Sequence, residues 1–102
     1  MSKLVFVCDV TKLQPGDKMA ISPDDQSILV ANVDGRIYAV ANICTHEYAE
    51  LVNGFLTGDA ITCPLHLSSF KLETGEVMNA PASKPLKTYK VIVSEAKIYV
   101  EV

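Results

Sequence analysis

Both histidines of this 102-residue chain follow a cysteine at short range, and this pairing restricts the fold more than any other feature. Cys44 stands two residues before His46, Cys63 stands three before His66, and sixteen residues separate the two pairs. We call segments 44–46 and 63–66 the first and second hook. One or two intervening residues let both side chains of a hook turn to the same side of a loop, and thiolate and imidazole are metal ligands. The sequence therefore predicts one four-ligand metal site built by two loops.

Length, composition and charge indicate one modest domain. A chain of 102 residues with 49% hydrophobic content can bury a single core. The net charge of -3, without a lysine- or arginine-rich run, does not provide the basic face that a nucleic-acid partner requires. The apolar run at 4–7 is interrupted by Cys8 and Asp9, so it does not read as a signal peptide, and no apolar stretch could span a membrane. We expect a soluble cytoplasmic domain that binds neither membrane nor nucleic acid.

The three cysteines favour metal ligation over disulfide bonding. Their number is odd and their spacing irregular, which is not the pattern of a disulfide framework, and a reducing cytosol leaves thiols available for metal. Cys8 lies outside both hooks, in the first predicted strand. We therefore expect Cys8 to be a buried, inert core residue.

Alternating apolar positions and β-branched residues predict an all-β protein of small antiparallel sheets. The pair Asp34-Gly35 joins two of the predicted strands as a two-residue hairpin loop. No segment keeps a helical apolar period, so helix is limited to about one turn, near 10–13 or 48–51. The predicted strands are residues 4–8, 19–22, 27–33, 36–42, 60–63, 69–72, 86–93 and 97–102, with 94–96 connecting the last two.

Two stretches, 43–58 and 80–85, do not follow the strand pattern. The first contains one hook and is predicted as a long loop, and the second is rich in proline, which suits a stiff cover better than a strand. Gly54, Gly58 and Gly75 are predicted as turn glycines. Long loops in compact domains commonly carry function, so we expect the chemistry of the chain in these stretches.

The mixed composition of the hooks bears on the choice of metal. A structural zinc site with two cysteines and two histidines usually takes a cysteine pair from one hook and a histidine pair from the other. Here each hook carries one of each. A cofactor with two irons suits this arrangement, because each hook can give its cysteine to one iron and its histidine to the other. A zinc-stapled interaction domain remains the alternative at this point.

The two hooks, together with several flanking motifs, resemble the Rieske [2Fe–2S] ferredoxin family. The flanking matches are Ser69-Phe70, Thr74-Gly75, the proline loop around Pro81 and the segment 85–89. Segment 13–16 and the 34–35 hairpin also fit, so the likeness covers nearly the whole chain. Within the family, the chain is most similar to the ferredoxin components of bacterial ring-hydroxylating dioxygenase systems.

The resemblance implies a fold and a ligand set. It implies one Rieske domain over residues 1–102, built of three stacked antiparallel sheets. Its cluster-binding subdomain, at about 43–85, would consist of the two hook loops and the proline loop at 79–84. Cys44 and Cys63 would hold the inner iron of one [2Fe–2S] cluster, and His46 and His66 the outer iron near the surface.

The resemblance also implies a function, that of an electron carrier. Family members carry one electron at a time from a flavin reductase to a terminal oxygenase, and both partners would dock near His46 and His66 of a monomeric chain. An oxygenase also needs a mononuclear iron held by two histidines and a carboxylate, and no histidine remains for it, so the chain is predicted not to be an enzyme. The alternative within this fold is a small subunit of another redox enzyme, such as a nitrite reductase.

Departures from the family pattern predict a low reduction potential. Ala49 and Leu65 stand where respiratory Rieske proteins have a disulfide beside the cluster. Ser68 matches a serine whose hydroxyl lies near the cluster sulfurs, but Phe70 replaces the tyrosine that supplies a second hydroxyl. Hydrogen bonds to sulfur stabilise the reduced cluster, so losing one lowers the potential. Two further departures, where small residues are common, are Glu47 and Leu67.

Overall fold

The computed structural model describes residues 3–45, 48–65, 67–80 and 82–102, and within these ranges the chain is all-β. It contains no α-helix in this part, and its only helical segments there are three short 3₁₀ turns, at Val10–Lys12, Pro23–Asp25 and Leu51–Asn53. The all-β prediction is confirmed. The strands are β1 (Leu4–Asp9), β2 (Lys18–Ile21), β3 (Ile28–Val33), β4 (Arg36–Ala41), β5 (Phe55–Thr57), β6 (Ala60–Thr62), β7 (Ser69–Lys71), β8 (Thr88–Ser94) and β9 (Lys97–Glu101).

The strands form two antiparallel sheets rather than the three that the family resemblance implied. Six strands lie in the order β1-β9-β8-β4-β3-β2, and three lie in the order β5-β6-β7. The larger sheet consists of two three-stranded halves, which are joined only where Ala39 pairs with Tyr89 and Val40 with Thr88. This short junction accounts for the difference, because without those two pairs the same strands would count as three sheets.

The β3–β4 hairpin confirms the turn predicted at Asp34-Gly35. Val33 pairs with Arg36, so the loop has two residues. Asp34 has φ 52° and Gly35 φ 94°, the two positive values that a type I′ turn requires. The Asn32 side chain accepts a hydrogen bond from the Gly35 amide at 2.8 Å. The twist of this turn matches that of the strands, which fixes their register.

The prediction that 43–58 is a loop without a strand is wrong at its end. Phe55–Thr57 forms β5, which pairs with β6 through a two-residue turn between Thr57 and Ala60. Three residues are too few for alternation to stand out in a sequence. Tertiary pairing with β6, rather than local propensity, makes this segment a strand.

The ends of the other predicted strands shift by one or two residues. The eighth strand begins at Thr88 instead of residue 86, because the Leu86 amide donates to the Gly75 carbonyl and leaves the sheet ladder. The last hairpin turns through two residues, Glu95 and Ala96, since Ser94 already pairs with Lys97. The helical turn predicted near 10–13 is present, and the one near 48–51 begins at residue 51.

Strand β3 is buried on both faces because it separates two hydrophobic cores. Leu29 and Ala31 face a core that joins the two sheets and includes both hook cysteines. Ile28 and Val30 face the opposite core, which is formed within the six-stranded sheet. Successive strand residues point to opposite faces, so one central strand serves both cores. The first core supports the hooks, whereas the second stabilises the larger sheet.

Candidate metal centre

An equivalent backbone hydrogen bond closes each of the two hook loops. The amide of Cys44 donates to the carbonyl of Ala49 at 2.9 Å, and the amide of Cys63 donates to the carbonyl of Ser68 at 2.7 Å. Each bond joins a cysteine to the residue five positions later. The two cysteines therefore occupy equivalent positions, each at the start of a closed six-residue loop.

Antiparallel pairs form the base of both loops. Ile43 pairs with Glu50 below the first loop, and Thr62 pairs with Ser69 below the second. The second base is part of the β6–β7 ladder, and the hydroxyl groups of Thr62 and Ser69 also share a hydrogen bond at 2.8 Å. The first loop is thus closed at its base by an isolated antiparallel bridge, whereas the second hook is the tip of the β6–β7 hairpin.

Both cysteines are buried in the core that joins the two sheets. Their relative exposure is 4% for Cys44 and 1% for Cys63, and neighbours such as Leu51 and Phe70 belong to the same hydrophobic cluster. The structure therefore places both thiols of the predicted ligand set in one core, whereas His46 and His66 lie outside the described residues.

The proline loop, residues 79–84, is hydrogen-bonded to both hook loops. Thr45, inside the first hook, donates its hydroxyl to the carbonyl of Lys84 at 2.7 Å. The amide of Ala82 donates to the Ser68 hydroxyl oxygen at 3.0 Å. Pro81, which the sequence singled out, lies outside the described residues. The predicted cover therefore contacts both loops through the residues on either side of Pro81.

The residues predicted to surround the cluster differ in their burial. Ser68 and Phe70 have no exposed surface, and Ala49 is also buried. Leu65, by contrast, is 58% exposed. Ser68 and Phe70 therefore lie inside the hook region, whereas the Leu65 side chain reaches solvent.

Asn79 contributes contacts that the sequence analysis did not anticipate. Its side-chain oxygen accepts from the Ser69 amide at 2.6 Å, and its side-chain nitrogen donates to the Leu67 carbonyl at 3.2 Å. Asparagine readily bonds to nearby backbone, and this one lies two residues before a proline, which has no amide to continue a strand ladder. Those two signals could have marked it.

Cys8 stands apart from the hooks. It pairs with Ile98 in the six-stranded sheet and packs, half-buried, beside the second core, so the prediction of a fully buried residue is only partly met. Burial, with a smaller contribution from the Asp9 carboxylate, raises the pKa of the Cys8 thiol. A thiol that holds its proton is a poor metal ligand.

The donor set of the hooks fits a Rieske-type cluster. Two buried thiols stand at equivalent loop positions in one core, and a histidine follows each at short range. Two thiols and two imidazoles are the donors that such a cluster takes from its protein. The described ranges contain no group of three or more histidine, cysteine, aspartate or glutamate side chains placed to hold a metal ion.

Comparison with known proteins identifies the family. The model of the Rieske [2Fe-2S] domain matches residues 3–90. The 3-phenylpropionate/cinnamic acid dioxygenase ferredoxin subunit of Photorhabdus laumondii is 42% identical, over 100% of this chain and 96% of that protein. The biphenyl dioxygenase ferredoxin subunit of Pseudomonas sp. strain KKS102 is 35% identical, over 92% of this chain and 87% of its own length.

A solved structure agrees with this result. A chain in the complex of reduced oxygenase and oxidised ferredoxin in carbazole 1,9a-dioxygenase superposes with a TM-score of 0.92 at 34% identity, covering 95% of this chain and 91% of that one. The chain belongs to the Rieske [2Fe-2S] domain family. The resemblance on which the sequence analysis relied is therefore confirmed, and the cofactor that it implied, one Rieske [2Fe–2S] cluster, is that of the family. No helix in the described ranges is long and apolar enough to cross a membrane.

Proposed function

We propose that this chain is a one-electron carrier that passes electrons from a flavin-containing reductase to a terminal aromatic-ring-hydroxylating dioxygenase, and that Cys44, His46, Cys63 and His66 hold its Rieske cluster. The observation that carries the proposal is the matched closure of the two hook loops around cysteines buried in one core. The relatives named as dioxygenase ferredoxin subunits support the same role. The bound cluster would supply the one-electron redox chemistry.

The chain's own contribution is a rigid, mostly dry setting. Electron carriers need ligands that keep nearly the same positions in both oxidation states. The hook loops are closed at their bases, tied to the proline loop and packed into the core. We propose that residues 43–85 act as the cluster-binding unit of a single domain that spans 1–102.

Exposed apolar side chains beside the hooks support docking of the partners near His46 and His66. Tyr48 follows the first hook, and Leu65 and Leu67 flank the second histidine in sequence, and all three are exposed in the structure. The fully buried core of an interface is more apolar than the rest of the protein surface, and tyrosine is enriched among the residues that carry its binding energy. We therefore propose that the reductase and the terminal oxygenase use this surface in turn.

A stopped-flow experiment tests the function. The reduced protein is mixed without oxygen with the oxidised terminal oxygenase of a 3-phenylpropionate/cinnamic acid dioxygenase system, the partner type of a close relative. The carrier proposal predicts that the absorbance of the oxidised cluster returns as the oxygenase becomes reduced. A protein that stays reduced on mixing would contradict the proposal.

The docking surface gives a second expected result. Leu65→Asp should raise the concentration of this protein that half-saturates electron delivery to the oxygenase by roughly tenfold, because a charge replaces an apolar contact. The matched control is Leu4→Asp, which makes the same change on the larger sheet at 51% exposure, against 58% for Leu65. Equal effects of the two variants would refute the docking site.

The reduction potential provides a third test. Phe70 is fully buried and offers no hydroxyl, so we expect a midpoint potential near the low end of the Rieske range, roughly −150 mV. Phe70→Tyr should raise it by about 40 mV if the new hydroxyl donates to cluster sulfur, the equivalent of one hydrogen bond of about 1 kcal/mol. Redox titration of both proteins checks this, and a wild-type potential well above zero would contradict it.

We further propose that the protein is a cytoplasmic monomer that acts as a free carrier. Gel filtration of the purified protein distinguishes a free carrier from a subunit of a larger redox enzyme. A carrier should elute as a stable monomer that can be reduced and reoxidised. A protein that is stable only together with a second polypeptide would contradict the proposal.

A further inference from the structure

The side chain of Asn79 continues the hydrogen-bond ladder along strand β7 beyond the last backbone pair. Strand β7 pairs with the segment that follows it, and the Met78 amide donates to the Ser69 carbonyl at 2.8 Å. The chain then turns away into the proline loop. Beyond Met78 the side-chain carboxamide of Asn79 forms the next two bonds. It accepts from the Ser69 amide at 2.6 Å and donates to the Leu67 carbonyl at 3.2 Å.

The Asn79 side chain thus acts in place of a peptide group. A carboxamide has the same donor and acceptor as the backbone, so it can pair with an extended segment as a neighbouring strand would. Its two bonds go to the residues on either side of Ser68. The segment 67–69, which directly follows His66, is therefore held at both ends by one side chain.

Leu67 shows why this segment needs to be held. Its φ of 60° lies in the left-handed region, which costs a residue other than glycine about 1 kcal/mol. Its side chain is 59% exposed, so packing offsets little of that cost. The backbone bonds remain: the Leu67 amide donates to the Cys63 carbonyl at 3.2 Å, and the Leu67 carbonyl accepts from Asn79.

Ser68 is the residue whose position depends on this arrangement. It has no exposed surface, its carbonyl closes the second hook loop, and its hydroxyl oxygen accepts from the Ala82 amide. Because the hydroxyl oxygen is the acceptor in this bond, its proton can be donated to a second group. The direction of the hydroxyl depends on the backbone conformation at 67–69.

We propose that Asn79 is a positioning residue that holds Leu67 in its left-handed conformation and fixes the Ser68 hydroxyl, and that it thereby sets the reduction potential of the cluster. The inference rests on the proposed function, because it assumes a cluster at the hooks. Asn79 does not touch the reacting atoms and acts only through Ser68.

Hydrogen exchange tests the two hydrogen bonds of the Asn79 side chain, to the Ser69 amide and the Leu67 carbonyl, independently of any redox property. In Asn79→Ala the amide of Ser69 loses its acceptor. Its exchange, measured by mass spectrometry on the oxidised holoprotein in a peptide that begins at or before residue 67 and extends to 72, should be roughly five- to tenfold faster. Asn79→Asp keeps an acceptor and should retain most of the protection. Asn53→Ala, at another exposed asparagine, is the matched control and should leave this peptide unchanged. Unchanged exchange in Asn79→Ala would show that the Asn79 side chain does not hold segment 67–69.

A double-mutant cycle tests the effect on the cluster. At a fixed solution potential near the wild-type midpoint, Asn79→Ala should lower the ratio of reduced to oxidised protein by roughly two- to fivefold. In a Ser68→Ala background the same change should have little further effect, because Asn79 acts through that hydroxyl. Met78→Ala, at the neighbouring exposed position, should leave the ratio at its wild-type value.

The outcomes separate the two proposals. A wild-type protein without a Rieske spectrum would overturn the proposed function. A normal wild-type spectrum with an unchanged ratio in Asn79→Ala, or an equal change in the Ser68→Ala background, would overturn the positioning role alone.

Discussion

Serine in place of Cys63 should give a colourless protein with its iron content at background. Cys63 is 1% exposed and begins the second hook, so if it is a ligand as proposed, loss of its thiolate would open one iron to solvent. Visible absorption and iron analysis after anaerobic purification measure the result. Cys44→Ser should behave in the same way, since the two loops are equivalent.

Cys8→Ser is the matched control for this experiment. The same atom is exchanged, but Cys8 lies in β1 beside the other core. Its spectrum and iron content should equal those of the wild type. If Cys63→Ser kept the full cluster, or if Cys8→Ser lost it, the proposed ligand set would be wrong.

Alanine in place of Gly54 should strongly destabilise the fold beside the second hook. A Cβ atom at Gly54 would collide with the carbonyl oxygen of Thr62, the residue just before Cys63. Backbone has to shift to relieve this contact, at a cost of about 3 kcal/mol in the free energy of unfolding. For a domain of this size the apparent melting temperature should fall by roughly 10 °C or more.

Gly58→Ala is the control for Gly54→Ala. Gly58 has φ 59°, but a Cβ there would meet nothing within 4 Å. The expected cost is about 1 kcal/mol, for the left-handed backbone alone. Both variants are compared at one scan rate, because loss of the cluster makes unfolding irreversible. Equal melting temperatures for the two variants would show that the close approach of Gly54 to Thr62 does not matter.

The hooks and the main hairpin could be predicted from the sequence because each depends on local chemistry. Cys44 and Cys63 stood out because the chain has two histidines and each follows a cysteine closely. The turn at Asp34-Gly35 could be read from two residues that adopt positive φ readily. The residues around the hooks, such as Ser68 and Phe70, were predicted from the family resemblance. The structure describes these two residues and both thiols, but not the histidines.

The features that the sequence did not predict depend on contacts between distant segments. Phe55–Thr57 becomes a strand only by pairing with β6. The role of Gly54 was predicted as that of a turn residue, but its backbone is extended, and the carbonyl of Thr62 is what excludes a side chain. Asn79 gains its importance from bonds to residues ten and twelve positions away. Local sequence patterns carry no information on contacts between segments that are distant in the sequence.

The most direct test of the account is the pulsed electron paramagnetic resonance spectrum of the reduced wild-type protein. If His46 and His66 ligate the outer iron as proposed, the unpaired electron should couple to two imidazole nitrogens, and the continuous-wave signal should be of the Rieske type. His66→Ala should abolish the Rieske-type signal, because a missing ligand opens the iron to solvent. A colourless protein that contains zinc, or a [2Fe–2S] signal without nitrogen coupling, would contradict the account.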